Sequence, residues 1–178
     1  KVRFVFCDDQ PNNNKQGIKQ EEFAEIQKSA IGTPIKLKFL GESAAGHAGS
    51  IPIGHIGNMF EQKNGNVNQL IADGVLYADD YPEEVEWLET EFAEGKAPGA
   101  SWEVTYQSDK SLIENGVEWL KGILTMAATF VKHPAYGSRT AILALASNQK
   151  LDDKKLRLLS KMQRGTALEL ERRNFQRR

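Results

Sequence analysis

The sequence predicts an α+β fold: a mainly antiparallel β-barrel or sheet of about seven strands with surrounding helices. Three observations predict it. β-prone runs recur along the chain, and their links are short or hairpin-like rather than alternating helices. One long segment, residues 82–94, has a clear helical stripe. The chain has 178 residues and 40% apolar content, enough for one core and marginal for two.

The elements follow in order. Residues 2–7 read as a strand that ends on Cys7, the single cysteine. A lone cysteine excludes an internal disulfide and, in a strand, reads as buried rather than as a nucleophile. Pro11-Asn12-Asn13-Asn14-Lys15-Gln16-Gly17 is a loop by composition. Residues 21–30 form a short helix with Phe23, Ile26 and Ala30 on one side. Gly32-Thr33-Pro34 ends it, and residues 35–39 alternate like a half-buried strand. Residues 41–50 are small and flexible in composition and contain His47. Residues 51–60 form a strand bent at Gly54 and Gly57, and Asn64-Gly65-Asn66 turns it into a strand over 67–77.

Asp80 and Glu83 make a capping-box pattern, with Pro82 in the first turn of the helix. Val85, Leu88 and Phe92 share its apolar stripe, and Gly95 and Pro98-Gly99 terminate it. Residues 100–107 are a strand and 108–116 a loop. Residues 117–131 and 140–147 are the most apolar strands and are expected at the sheet centre. After Asn148 the composition changes, and a basic helix begins near Leu151.

Charge is unevenly spread. Residues 150–178 hold ten Lys and Arg against four acids, a net of +6, which leaves −7 on residues 1–149 out of the total of −1. The acidic body disfavours nucleic-acid binding, whereas the basic tail can meet an acidic partner, nucleic acid or an acidic helix. No apolar run reaches the roughly 20 residues of a bilayer span, and no signal peptide is read at Lys1. The three histidines stand far apart, and neither HExxH nor an EF-hand pattern is present. No metal or cofactor is therefore expected.

Three islands carry polar, catalytically capable residues beside turns. They are Gly46-His47-Ala48-Gly49-Ser50, Gly99-Ala100-Ser101-Trp102-Glu103-Val104 and Lys132-His133-Pro134-Ala135-Tyr136-Gly137-Ser138-Arg139. Ser101 opens a strand after small residues that would let a substrate approach, although a strand-start serine also simply caps turns. A serine hydroxyl needs a neighbouring base to become a nucleophile. His47, in a Gly/Ala loop with no apolar cover, suits that role, and His55 competes for it from within a strand. His133, held extended before Pro134, is one candidate to orient the base. Glu103 is its rival, because in a strand it shares a face with Ser101. Ser138 and Arg139 offer a backbone N–H and a guanidinium for an oxyanion hole, or only a turn with a surface arginine.

The order and surroundings of these islands resemble the herpesvirus assemblin and tailed-phage prohead protease group. Pro34-Ile35-Lys36-Leu37 leads to His47, and Ile53-Gly54-His55-Ile56 follows. Next come Leu70-Ile71-Ala72-Asp73-Gly74-Val75-Leu76, helix 82–94 and Ser101. Val131-Lys132-His133-Pro134-Ala135 fits the aliphatic-x-x-Pro-Ala close of the prohead branch. His133 before Gly137-Ser138-Arg139 is similar to the second histidine and Gly-Arg turn of the assemblin branch. The likeness spans roughly residues 30–147. Two features depart from it: Thr125-Met126-Ala127-Ala128-Thr129 lacks the acid often found there, and Trp102 and Glu103 follow the serine.

The resemblance implies an assemblin-like fold over residues 1–149, with 150–178 as a basic helical tail or scaffold connection. It implies a serine endopeptidase of capsid maturation, with Ser101, His47 and His133 or Glu103 as its catalytic set. The same likeness admits a catalytically inactive capsid or virion component. Implied partners are the capsid scaffold, the major coat protein and further copies of the chain. The implied location is the procapsid or virion in the host cytoplasm, away from membranes.

Overall fold

The computed structural model describes residues 1–39 and 46–146. The strands are β1 (Val2–Asp8), β2 (Gln16–Gly17), β3 (Pro34–Leu37), β4 (Ile51–Asn64), β5 (Val67–Leu76), β6 (Gly99–Thr105), β7 (Leu112–Glu114), β8 (Val117–Trp119), β9 (Leu124–Val131) and β10 (Ile142–Leu145). Two α-helices, α1 (Phe23–Ala30) and α2 (Pro82–Ala93), and two 3-10 turns accompany them. The predicted basic helix after Lys150 lies outside the described residues, as do residues 40–45 of the His47 loop. Among the described residues, no helix is long and apolar enough to cross a membrane.

Seven strands form one sheet in the order β10-β1-β5-β4-β3-β9-β6, and β2-β8-β7 make a small second sheet. Every pairing in the large sheet is antiparallel except β3 with β9. The fold is thus α+β with a curled, mostly antiparallel sheet. The curl brings its two ends together: Gly99 in β6 forms an antiparallel bridge to Ala141, just before β10. The Ala141 carbonyl also accepts a bond from the Val5 amide in β1. Gly99 permits this approach, since a Cβ there would stand 2.6 Å from the Pro134 ring.

Strand alternation sorts the side chains between two faces. Phe4, Phe6, Ile35, Leu37, Ile53, Leu70, Ala128 and Phe130 point into the enclosed side and join Phe23, Ile26 and Ala30 of α1 in one core. Phe4 and Phe130 meet edge to face with ring centroids 5.2 Å apart. Cys7 is fully buried, as its strand context predicts. Residues on the opposite face of β3, β9 and β6 carry the polar chemistry.

Several local expectations differ from the structure, beginning with the predicted loops 11–17 and 108–116, which contain the short strands β2 and β7. The run 117–131 is two strands rather than one, because the chain leaves β8 and turns through Gly122, whose φ is +61°. The Gly122 amide there donates to the Glu22 carboxylate. Helix α2 begins at Pro82 with Tyr81 at its N-cap and no side-chain cap bond. Asp80 is instead folded into a turn in which its own amide and that of Tyr81 both bond the Tyr77 carbonyl. Finally, β10 lies at one end of the sheet order rather than at its centre, and Leu143 is exposed.

Candidate active site

The site is built on the outer face of β3, β9 and β6. Ile35 and Leu37 enter the core, so Lys36 between them faces the other way. Ala128 and Phe130 do the same for Thr129, and Ala100, Trp102 and Val104 do so for Ser101 and Glu103. Register then aligns them. Thr129 is the cross-strand partner of Lys36 on one side and of Ser101 on the other. Adjacent strands are about 4.8 Å apart, so these side chains reach one another.

His47 is delivered from the loop ahead of β4. A tight turn fixes it: the Ser50 amide and hydroxyl both donate to the His47 carbonyl, at 3.1 and 2.7 Å. Gly49 supplies the left-handed conformation in that turn, with φ of +74°. The ring lies between two partners. Nε2 is 3.0 Å from Ser101 Oγ, and Nδ1 is 3.0 Å from Glu103 Oε1. A carboxylate can only accept, so the network assigns the proton to Nδ1 and leaves Nε2 to receive the serine hydroxyl.

Glu103 is held on both oxygens. Oε1 also accepts the Thr129 hydroxyl, and Oε2 accepts Lys36 Nζ at 2.8 Å. Partial burial alone would push this carboxyl up. The bonds from His47, Lys36 and Thr129, together with the Lys36 charge, outweigh that and hold it at about 2. Glu103 is therefore an anion at neutral pH, aimed at the imidazole. Its side chain is 25% exposed and that of His47 43% exposed, so the line of groups opens to solvent at His47.

The structure brings Ser101, His47 and Glu103 together and places the other candidates elsewhere. Both ring nitrogens of His47 are engaged, and Glu103 occupies the position for which His133 competed. His133 is exposed beyond the end of β9, on the rim of a cleft of about 510 Å³ that also includes Gly99, Pro134, Gly137 and Ser138. His55 bonds the Tyr77 hydroxyl through Nδ1 at 3.0 Å, which takes it away from the base role.

The expected oxyanion donors are also redistributed. The Arg139 guanidinium bonds both oxygens of buried Asp8 at 2.6 and 2.7 Å, and the Pro11 carbonyl at 2.6 Å. Its backbone N–H is bonded to the Tyr136 carbonyl within the 3-10 turn Gly137–Thr140. Arg139 is thus a structural tie between that turn and β1. Ser138 keeps its place on the cleft beside Gly99.

Lys36 and Thr129 were missed in the sequence. The Ile-Lys-Leu alternation does place Lys36 on the outward face. Its neighbour, however, depends on a parallel pairing with a strand some ninety residues later, and no local pattern encodes that. Comparison with family models, curated proteins and solved structures finds no match for this chain.

Proposed function

We propose that the protein is a serine endopeptidase of virus capsid maturation, cleaving scaffold or coat protein and itself. The observation that carries the enzymatic part is the hydrogen-bonded line Ser101–His47–Glu103. The viral setting and the assemblin-like assignment rest on the motif order from Pro34 to Arg139, and the curled α+β sheet is compatible with both.

In this reading Ser101 Oγ attacks the scissile carbonyl while His47 Nε2 takes its proton. The Glu103 anion holds the Nδ1 proton and stabilises the imidazolium. His47 then gives the proton to the leaving amine, and the acyl ester on Ser101 remains. A water molecule deprotonated by His47 hydrolyses that ester and restores the serine. The protein groups in these steps are the three that already touch one another.

A second reading, a catalytically inactive capsid component on the same fold, is favoured by one observation. Arg139, the residue suggested for the oxyanion, is committed to Asp8 and Pro11. Labelling separates the two. A fluorophosphonate probe should modify the full chain on Ser101, and Ser101→Ala should abolish both labelling and processing of co-expressed scaffold or coat protein while the chain stays folded. Undiminished processing by Ser101→Ala would sink the peptidase, and an unreactive, folded wild type would favour the structural role.

A further inference from the structure

Glu103 has more partners than orienting a histidine requires. Its Oε1 serves His47 and Thr129, and its Oε2 serves Lys36 alone. The two extra partners come from two different strands, and strand pairing holds Lys36 and Thr129 directly opposite each other. We propose that Lys36 and Thr129 form a two-point clamp that fixes which oxygen of Glu103 faces His47, with Lys36 as the positioning residue of the site. This inference rests on the peptidase reading for its catalytic meaning.

A glutamate has one more rotatable bond than an aspartate, so a free Glu103 carboxylate would exchange its oxygens and swing away from the ring. An ammonium on one oxygen and a hydroxyl on the other stop that rotation. Thr129 is fully buried and Lys36 is 27% exposed, so neither is a loosely held surface group. Lys36 also compensates the anion, which keeps the carboxylate from drawing the His47 proton too strongly in the resting state. The charged and polar groups bonded to Glu103 are Lys36 from β3, His47 from the loop ahead of β4 and Thr129 from β9, and Ser101 of β6 itself is linked to it through His47. The Lys38 amine lies just past the end of β3, beside Gly49.

The test has an arm that needs no activity. In a Ser101→Ala chain with ¹³C-labelled glutamate, the Glu103 carboxyl should titrate near 2. Adding Lys36→Met should raise that midpoint by at least about one unit, because the nearest cation is lost. An unmoved midpoint overturns the clamp. In the second arm, fluorophosphonate labelling is followed against pH. Lys36→Met should label roughly 100-fold more slowly, with the acid limb of its profile moved to higher pH. Lys36→Arg should recover most of the rate, and Thr129→Val should lose it if Lys36→Met does not fold. Wild-type rate and profile in Lys36→Met or Thr129→Val overturn the proposal. If the wild type labels at no pH, the peptidase reading falls, and the titration alone decides the clamp.

Discussion

Ser101 and Glu103 stand two residues apart on β6, on the same face, and His47 bridges them with one ring nitrogen to each. One strand therefore supplies both ends of the hydrogen-bonded line, and a loop supplies the middle. Strand geometry sets the Ser101 and Glu103 Cα atoms about 6.6 Å apart on one face, and the side chains make up the remaining span across the imidazole.

Glu103→Gln should leave the backbone in place and remove the anion. The amide can present a donor to Nδ1, which favours the wrong tautomer for accepting the Ser101 proton. Labelling or peptide cleavage should fall by about 10⁴-fold, as for other triads that lose their charged member. Steady-state kinetics with thermal melting as a folding control measures it.

The same carboxyl sets an acid limit on stability. Its folded value of about 2 lies below its ordinary 4.5. A depressed value stabilises the fold fully above about 4.5, and that contribution is lost as pH falls toward 2. With the group a quarter exposed, the neutral-pH contribution is on the order of 2 kcal/mol. Denaturant unfolding of wild type and Glu103→Gln should differ most above pH 5 and converge toward pH 2.

Asp8 and Arg139 form the most buried ion pair among the described residues. Asp8 is fully buried, and desolvation lifts its carboxyl above the ordinary range despite the amide of Gln10 and the charge of Arg139. Arg139→Met should destabilise by about 3–5 kcal/mol, since it strands the carboxylate. Adding Asp8→Asn should recover part of that loss, a non-additivity that urea titration of the double variant can read. Because burial raises the Asp8 value, its own pH dependence runs opposite to that of Glu103: stability is lost as pH rises and the desolvated carboxyl ionises, and the Arg139 charge limits that loss.

Gly99→Ala tests the closure of the sheet. The new methyl would meet the Pro134 ring at 2.6 Å, well inside contact distance. A loss of about 1–3 kcal/mol is expected. Hydrogen exchange should show the strain as faster exchange at the Val5 amide, which bonds Ala141 across the junction.

Much of the site was legible locally. Alternation in Ala100-Ser101-Trp102-Glu103 puts the serine and the carboxylate on one face whatever the topology, so Glu103 was a candidate from the start. The Gly-rich island around His47 marks a loop able to carry an exposed imidazole. His133 attracted a role because Pro134 and the following turn look like a site in one dimension. Where His47 points depends on which strand lies beside β6, and neighbouring residues in the chain do not determine that. The same reason hid Lys36 and Thr129. Arg139 misled because its partner, Asp8, lies 131 positions away, at the end of the first strand.

The parallel pairing of β3 with β9 also governs timing. β9 follows both β3 and β6 in the chain yet lies between them in the sheet. A nascent chain that has emerged only to residue 120 already contains Lys36, His47, Ser101 and Glu103, but it has no strand to bring Lys36 and β6 together. Such non-local pairings form late, after the chain-entropy cost of closing large loops has been met. The site is thus assembled by a strand synthesised after all the others that carry its reactive groups, so a chain that stops short of β9 carries those groups without their arrangement.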